Sequence, residues 1–139
     1  MTLTGQITPH FSWREAASHD ASGDVPVPPE YQDNARAVCR ESERIRRVCG
    51  NKPLTMTRLF STAQHNATIP GAAKNSQHLK ANAADILPPG AMTTEQLGRI
   101  VQMLATEPES RIRFIRVYAD GHVHFDLRPG MAVVVEGLS

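Results

Sequence analysis

The chain has almost no excess charge, no long apolar run and only two cysteines, and each shortage excludes something. Fifteen lysines and arginines stand against fourteen acids in 139 residues. No net field therefore draws it to nucleic acid or to an anionic bilayer, and no basic run interleaves with aromatics. Nothing approaches the roughly 18 consecutive apolar residues of a membrane span, so neither a nucleic-acid partner nor membrane insertion is expected. The opening "MTLTGQITPHFSW" has no basic n-region and no apolar h-region. The expectation is synthesis in the cytoplasm without a signal peptide.

Cys39 and Cys49 fall in one helical stretch. Ten residues at a rise of 1.5 Å separate them by about 15 Å, beyond the ~4.4–6.8 Å that a disulfide spans. They read as free thiols in or near the core, which suits a reducing compartment of synthesis. Repeats and low-complexity segments are also absent. The length suits one domain over residues 1–139, able to bury roughly 68% of its unfolded surface without staples, and a monomer is expected.

What is present reads as α+β. Ser12 and Glu15 have capping-box spacing and start a short helix. A longer helix begins near Pro29, with Tyr31, Ala35, Val38, Ser42, Ile45 and Val48 or Cys49 on one face and Gly50 beyond its end. Arg44, Arg46 and Arg47 crowd its last turn and read as a solvated end favoured by the helix dipole. Leu54–Phe60 alternates as a strand, and Ser61–Asn75 follows as a long ordered loop of the kind that often carries function. Thr93 and Gln96 cap another helix whose stripe is Leu97, Ile100, Val101 and Leu104. The last third is β-structure, with "RIRFIRVY" and "HVHFDLR" joined at Asp120-Gly121, a strong hairpin signal, and then "AVVVEG". A two-residue turn pairs Val117 with His124 and Ile115 with Asp126. Alternation then gathers His122, His124 and Asp126 on one face and Val123, Phe125 and Leu127 on the other.

Two imidazoles on one strand are weak grounds for a metal. With His78 and Asp85 the inventory becomes three imidazoles and a carboxylate, a set that zinc accepts, and a catalytic zinc needs three protein ligands and one open position. The helical His-Glu-x-x-His spacing is missing. On residues alone the reading stays at a possible zinc site.

"SQHLKANAAD", Ser76 to Asp85, followed by "HVH" at 122–124, resembles the zinc D-alanyl-D-alanine carboxypeptidase family, which includes phage L-alanyl-D-glutamate endopeptidases. That family's pattern is Ser-x-His-x-x-Gly-x-Ala-x-Asp and then His-x-His. "HFSWREAA" and "TAQHNATIPGAAKNSQH" resemble its opening segment and the loop before its first ligand, so the likeness runs through nearly the whole chain. The resemblance implies an α+β fold with a small, mainly antiparallel sheet from the Leu54, Ala83, Arg111, His122 and Ala132 regions. Helices would pack on one side, with a zinc cleft on the other sheet face. It further implies one Zn²⁺ per chain on His78, Asp85 and His124, a catalytic role for His122, and hydrolysis of stem peptides of bacterial peptidoglycan. Zinc would lower the pKa of its bound water to ~7 and polarise the peptide carbonyl. Ser76 is either a substrate or supporting hydrogen bonder or a loop cap. Asp126 either supports the site or closes a strand-end salt bridge. His65 and Asn66 match a family dipeptide and read as loop-organising, while His10 and His19 read as ordinary surface residues.

Two positions depart from the family pattern. Its substrate-holding arginine, in Ser-Gly-Tyr-Arg-Ser-Pro, aligns with Ser61. Arg58 lies an odd offset away and is expected on the opposite face, and Arg116, paired with Phe125 in the hairpin above, is expected to face away too. Ala81 stands at a glycine, where a positive φ would cost roughly 1–2 kcal/mol. The expectation is therefore a zinc peptidase, with a zinc-stabilised binding or structural module of the same fold as the alternative, and a metal-free α+β domain as a further rival. Action on the cell wall after release, or as part of a virion, suits the absent leader.

Overall fold

The computed structural model describes residues 2–138. The strands and helices in chain order are β1 (Gln6–Thr8), β2 (Phe11–Ser12), α1 (Trp13–Ala16), β3 (Ser18–Asp20), β4 (Gly23–Val25), α2 (Gln32–Val48), β5 (Thr55–Arg58), α3 (Ala63–Ala67), β6 (Ala83–Leu87), α4 (Thr94–Ala105), β7 (Phe114–Val117), β8 (Val123–Asp126) and β9 (Val134–Glu136). Single 3₁₀ turns lie at Pro29–Tyr31 and Gln77–Lys80. The main sheet runs β5-β6-β8-β7-β9, antiparallel throughout except for the parallel pair β7–β9.

Local signals start the helices where the sequence places them. Both capping boxes form: Ser12 Oγ accepts the Glu15 N–H, with Glu15 Oε1 accepting from Ser12 in return, and Thr93 and Gln96 do the same. Pro29 opens the turn that leads into α2, and Gly50 closes it at φ +82°. Cys39 and Cys49 are buried free thiols, and burial lifts Cys39 to about 12, which leaves it inert.

Helices α2 and α4 bury Val38, Ile45, Leu97 and Val101 in one core with Ala84, Ile86, Ile115, Val123 and Phe125 of the sheet. Register follows from that burial: Ala84 and Ile115 both stand opposite Phe125, and Ile86 opposite Val123. Gly98 lets α4 approach β7 closely, since a Cβ there would lie 2.4 Å from Val117 Cγ2. No helix among the described residues is long and apolar enough to cross a membrane.

Four local expectations need correction. The segment 61–75 is not all loop: Thr62 caps the short helix α3 by accepting the His65 N–H. Arg44 is not a solvated helix end; its guanidinium ties α2 to Glu41, Glu107 and Glu109. The β7–β8 hairpin has a three-residue loop, Ala119–Gly121, closed by Tyr118 N–H to His122 O at 3.0 Å, with Gly121 at φ +110°. Glycine at the left-handed end of a three-residue loop is the competing signature. Pairing therefore shifts by one, so Val117 faces Val123 and Arg116 faces His124. The shift is driven by Ile115, which the two-residue turn would have set opposite Asp126 and which is instead wholly buried; in a half-buried sheet, burial decides register.

The fourth correction concerns Arg58. Thr55 and Met56 pair with Leu87 and Ile86, yet Arg58 pairs with Asp85. Thr57 is the extra residue of a β-bulge, and a bulge re-aims the side chain that follows it. Arg58 thus shares the face of Asp85 rather than that of Met56.

Candidate metal centre

The sheet face away from α2 and α4 carries Arg58, Asp85, His124, Asp126 and Arg116, which are one another's cross-strand partners or second neighbours. Asp85 sits at the centre of β6 and directly opposite His124 on β8. His78 arrives from outside the sheet. Ser76 caps the Gln77–Lys80 turn, its hydroxyl accepting the His78 N–H at 3.2 Å, and the His78 carbonyl accepts the Ser61 N–H. The capping reading of Ser76 is thus realised.

The turn ends at Ala81, fully buried at φ +55°, ψ +34°, so the strained alternative holds for the residue at the family's glycine. A left-handed alanine costs roughly 1–2 kcal/mol. Ala81→Gly removes that strain but gives up about 0.8 kcal/mol of methyl burial and roughly 0.5–1 kcal/mol in chain entropy. Ala81→Gly is expected to change stability by less than about 1 kcal/mol. Ala35→Gly in α2, equally buried but unstrained, should cost about 2 kcal/mol. Urea unfolding of the two variants checks the contrast.

His78, Asp85 and His124 form a cluster in which one ligand atom from each lies within 4.8 Å of the others. Asp85 Oδ1 is 3.2 Å from His78 Nε2 and 3.1 Å from His124 Nδ1. The far nitrogen of each ring is occupied. His78 Nδ1 donates to the Leu59 carbonyl at 2.8 Å, and His124 Nε2 to Asp126 Oδ2 at 2.8 Å. Carbonyls and carboxylates only accept, so both outer nitrogens donate, and the inner nitrogens are the ones that face Asp85 and whose lone pairs an ion would take. Tethered outer nitrogens are what metal-binding histidines show. Two imidazole nitrogens and a carboxylate fit a catalytic zinc with one position left open.

Asp126 performs both roles considered for it. Fully buried, it holds His124 and accepts a two-pronged contact from Arg128, Nε to Oδ1 and Nη2 to Oδ2, each at 2.8 Å. His122 lies at the rim, Nε2 3.9 Å from Asp85 Oδ2, with Nδ1 donating to Asp120 Oδ1 at 2.6 Å and the ring stacked on Tyr118 at 4.3 Å. Arg116 does not face away: its guanidinium lies 4.8 Å over the Tyr118 ring and 3.8 Å from Glu136. A cavity of about 340 Å³ is lined by Ala63, Asn66, Ala67, Ile69, Ala72, Lys74 and Leu79, and none of the three clustered groups is part of that lining. His10 and His19 pair with Glu43 and Asp24 at the surface, away from this cluster.

The Leu59 carbonyl, Tyr118 and Asp120 were not singled out from sequence. The His78–Leu59 contact has no signature in either segment, whereas the pairing of Asp120 with His122 follows once a three-residue loop is recognised.

Charge in the cluster is uneven. Burial would raise Asp85, but hydrogen bonds from His124 and His78 and their positive charge hold it far below the carboxylate range. Burial lowers His78 despite Asp85. It also presses His124 down, but Asp126 and Asp85 outweigh it and hold that imidazole above its ordinary value. Because the folded pKa of His124 is raised, the stability it gives the metal-free chain is complete below about pH 6.5 and is lost as pH rises through the folded value. Zinc needs the neutral ring, so binding expels this proton. As pH rises above about 6.5 through the raised folded value, the metal-free protein is expected to lose thermal stability while the zinc-loaded protein does not. Melting curves of chelator-stripped and zinc-loaded samples check this.

A search of curated proteins returns no match. A family profile described as Peptidase M15 matches residues 9–126, a span that holds α1, the bulged strand β5, the capped turn of His78 and both strands that carry Asp85 and His124. The chain therefore belongs to the peptidase M15 family, zinc peptidases of the D-alanyl-D-alanine carboxypeptidase type.

Proposed function

We propose that this protein hydrolyses peptide bonds in the stem peptides of bacterial peptidoglycan, at a bond beside a D-amino acid or at a D-Ala-D-Ala terminus. His78 Nε2, an Asp85 oxygen and His124 Nδ1 would hold one zinc per chain. The observation that carries this reading is the convergence of those three atoms, with both outer imidazole nitrogens already engaged. When bound, zinc supplies Lewis-acid polarisation of the scissile carbonyl and a nucleophile at neutral pH.

The chain's own groups do the rest. With Nδ1 committed to Asp120, His122 keeps Nε2 free to stabilise developing oxygen charge or pass a proton to the departing amine. Tyr118, stacked on the ring, restricts its rotation. Asp126 orients His124, and Ser76 supports His78 from its cap while remaining a candidate hydrogen bonder for substrate. In this reading the protein works as a monomer on the wall, as a lysis enzyme or a virion component.

Ala81 and Ser61 favour the second reading, a zinc-stabilised wall-recognition module without turnover. Mass spectrometry of muropeptides incubated with zinc-loaded protein separates the two and identifies the bond cut. New amine termini are expected; intact muropeptides with one zinc per chain would favour the module.

A further inference from the structure

Arg58 is held in an unusual way for a strand-end arginine. The bulge at Thr57 puts it opposite Asp85, on the face of the His78–Asp85–His124 cluster. Its guanidinium is then braced on two sides: Nε donates to Ser61 Oγ at 2.7 Å and Nη2 to Asn66 Oδ1 at 2.6 Å. Both braces are buried, and Asn66 is itself fixed by donating Nδ2 to the Ala73 carbonyl at 2.9 Å. Ser61 is fixed through its N–H to the His78 carbonyl. The same loop that carries His78 thus holds the guanidinium.

Neither brace is a carboxylate, so the positive charge is positioned without being neutralised by its anchors. Asp85 and Arg58 feel each other's charge, and His78 feels that of Arg58. The third nitrogen, Nη1, makes no hydrogen bond among the described residues and is not sealed from solvent. A half-buried cation with a pinned plane and a free donor edge is built to receive an oxygen anion, since charge-assisted contacts from a preorganised guanidinium are strong and directional.

Resting on the peptidase reading, the geometry points to Arg58 as the residue that binds the substrate's peptide oxygen beside the metal centre, with Ser61 and Asn66 as its positioning residues. The arginine missing at position 61 is thereby supplied from position 58, and the serine that replaced it has become its anchor. A bulge makes the exchange possible, because without the extra residue Arg58 would point into the core.

The test uses zinc-loaded full-length protein and two probes, phosphinate analogues of D-Ala-D-Ala and of L-Ala-D-Glu, whose tetrahedral anions are not cleaved. Zinc content and melting temperature are measured alongside calorimetric affinity. Arg58→Ala is expected to keep one zinc per chain and to lose about a hundredfold in affinity for whichever phosphinate the wild type binds, with kcat falling more than KM changes. Arg58→Lys, which keeps the charge but not the fork, should recover part of the loss. Ser61→Ala with Asn66→Ala should lose about tenfold with Arg58 intact. Wild-type affinity in both Arg58→Ala and Arg58→Lys, or no binding of either phosphinate by zinc-loaded wild type, overturns the assignment. If Arg58→Ala does not fold, Arg58→Lys alone decides. A wild type that cleaves nothing yet binds a phosphinate through Arg58 sinks the peptidase reading and leaves this one standing.

Discussion

Asp85→Asn is expected to abolish stoichiometric zinc and, with it, any peptide cleavage. Asp85 is the only anion among the three clustered groups, and one of its oxygens stands within 3.2 Å of both inner imidazole nitrogens. An amide of the same shape keeps the packing of β6 but offers a divalent cation only a weak neutral oxygen. Disturbing groups that merely orient metal ligands costs about 10–100-fold in affinity, so removing a charged ligand should exceed the upper end of that range. Elemental analysis after desalting should find near-zero zinc in Asp85→Asn and one per chain in wild type. Full zinc in the variant would mean that the metal sits elsewhere or that Asp85 is not a ligand. The variant's fold should survive, because the carboxylate lies on the face away from the main core.

His122→Ala separates chemistry from metal binding. Its Nε2 is 3.9 Å from Asp85, too far for a shared hydrogen bond, and its other nitrogen is tied to Asp120 on the hairpin loop. Nothing in the cluster depends on it for position. The variant is therefore expected to keep one zinc per chain and to lose about 10²–10⁴-fold in kcat, the usual range for a positioned proton donor or acceptor. Loss of the stack on Tyr118 should cost only about 0.5–1.5 kcal/mol of stability. Turnover equal to wild type would remove His122 from the mechanism, and zinc loss on the same substitution would make it a ligand.

Much of the architecture is local and was therefore legible. Ser12 with Glu15 and Thr93 with Gln96 meet within one turn, and each pair closes its box whatever the rest of the chain does. The alternation His122-Val123-His124-Phe125-Asp126 is equally local, and its two faces separate as expected, with Val123 and Phe125 wholly buried. The spacing of His78, Asp85 and His124 was readable as well, with the resemblance to a peptidase family saying what the spacing is for.

What escaped were the statements that carried a residue count past the bulge in β5 or across the hairpin loop. Parity assigned Arg58 and Arg116 to the wrong face, because one bulged residue at Thr57 and one extra loop residue in the 119–121 turn each invert the count. Arg44 was misread for a related reason: its partners Glu107 and Glu109 lie more than sixty positions away.

By itself, then, the sequence determined which residues could hold a metal, where the capped helices begin, and which faces of the later strands were apolar, since these follow from side-chain chemistry and short-range spacing. Only the tertiary structure decided which arginine reaches the cluster and what braces it. A strand's register is set by burying Ile115 and Met56 against partners distant in the chain, and the polar face inherits whatever order that burial imposes.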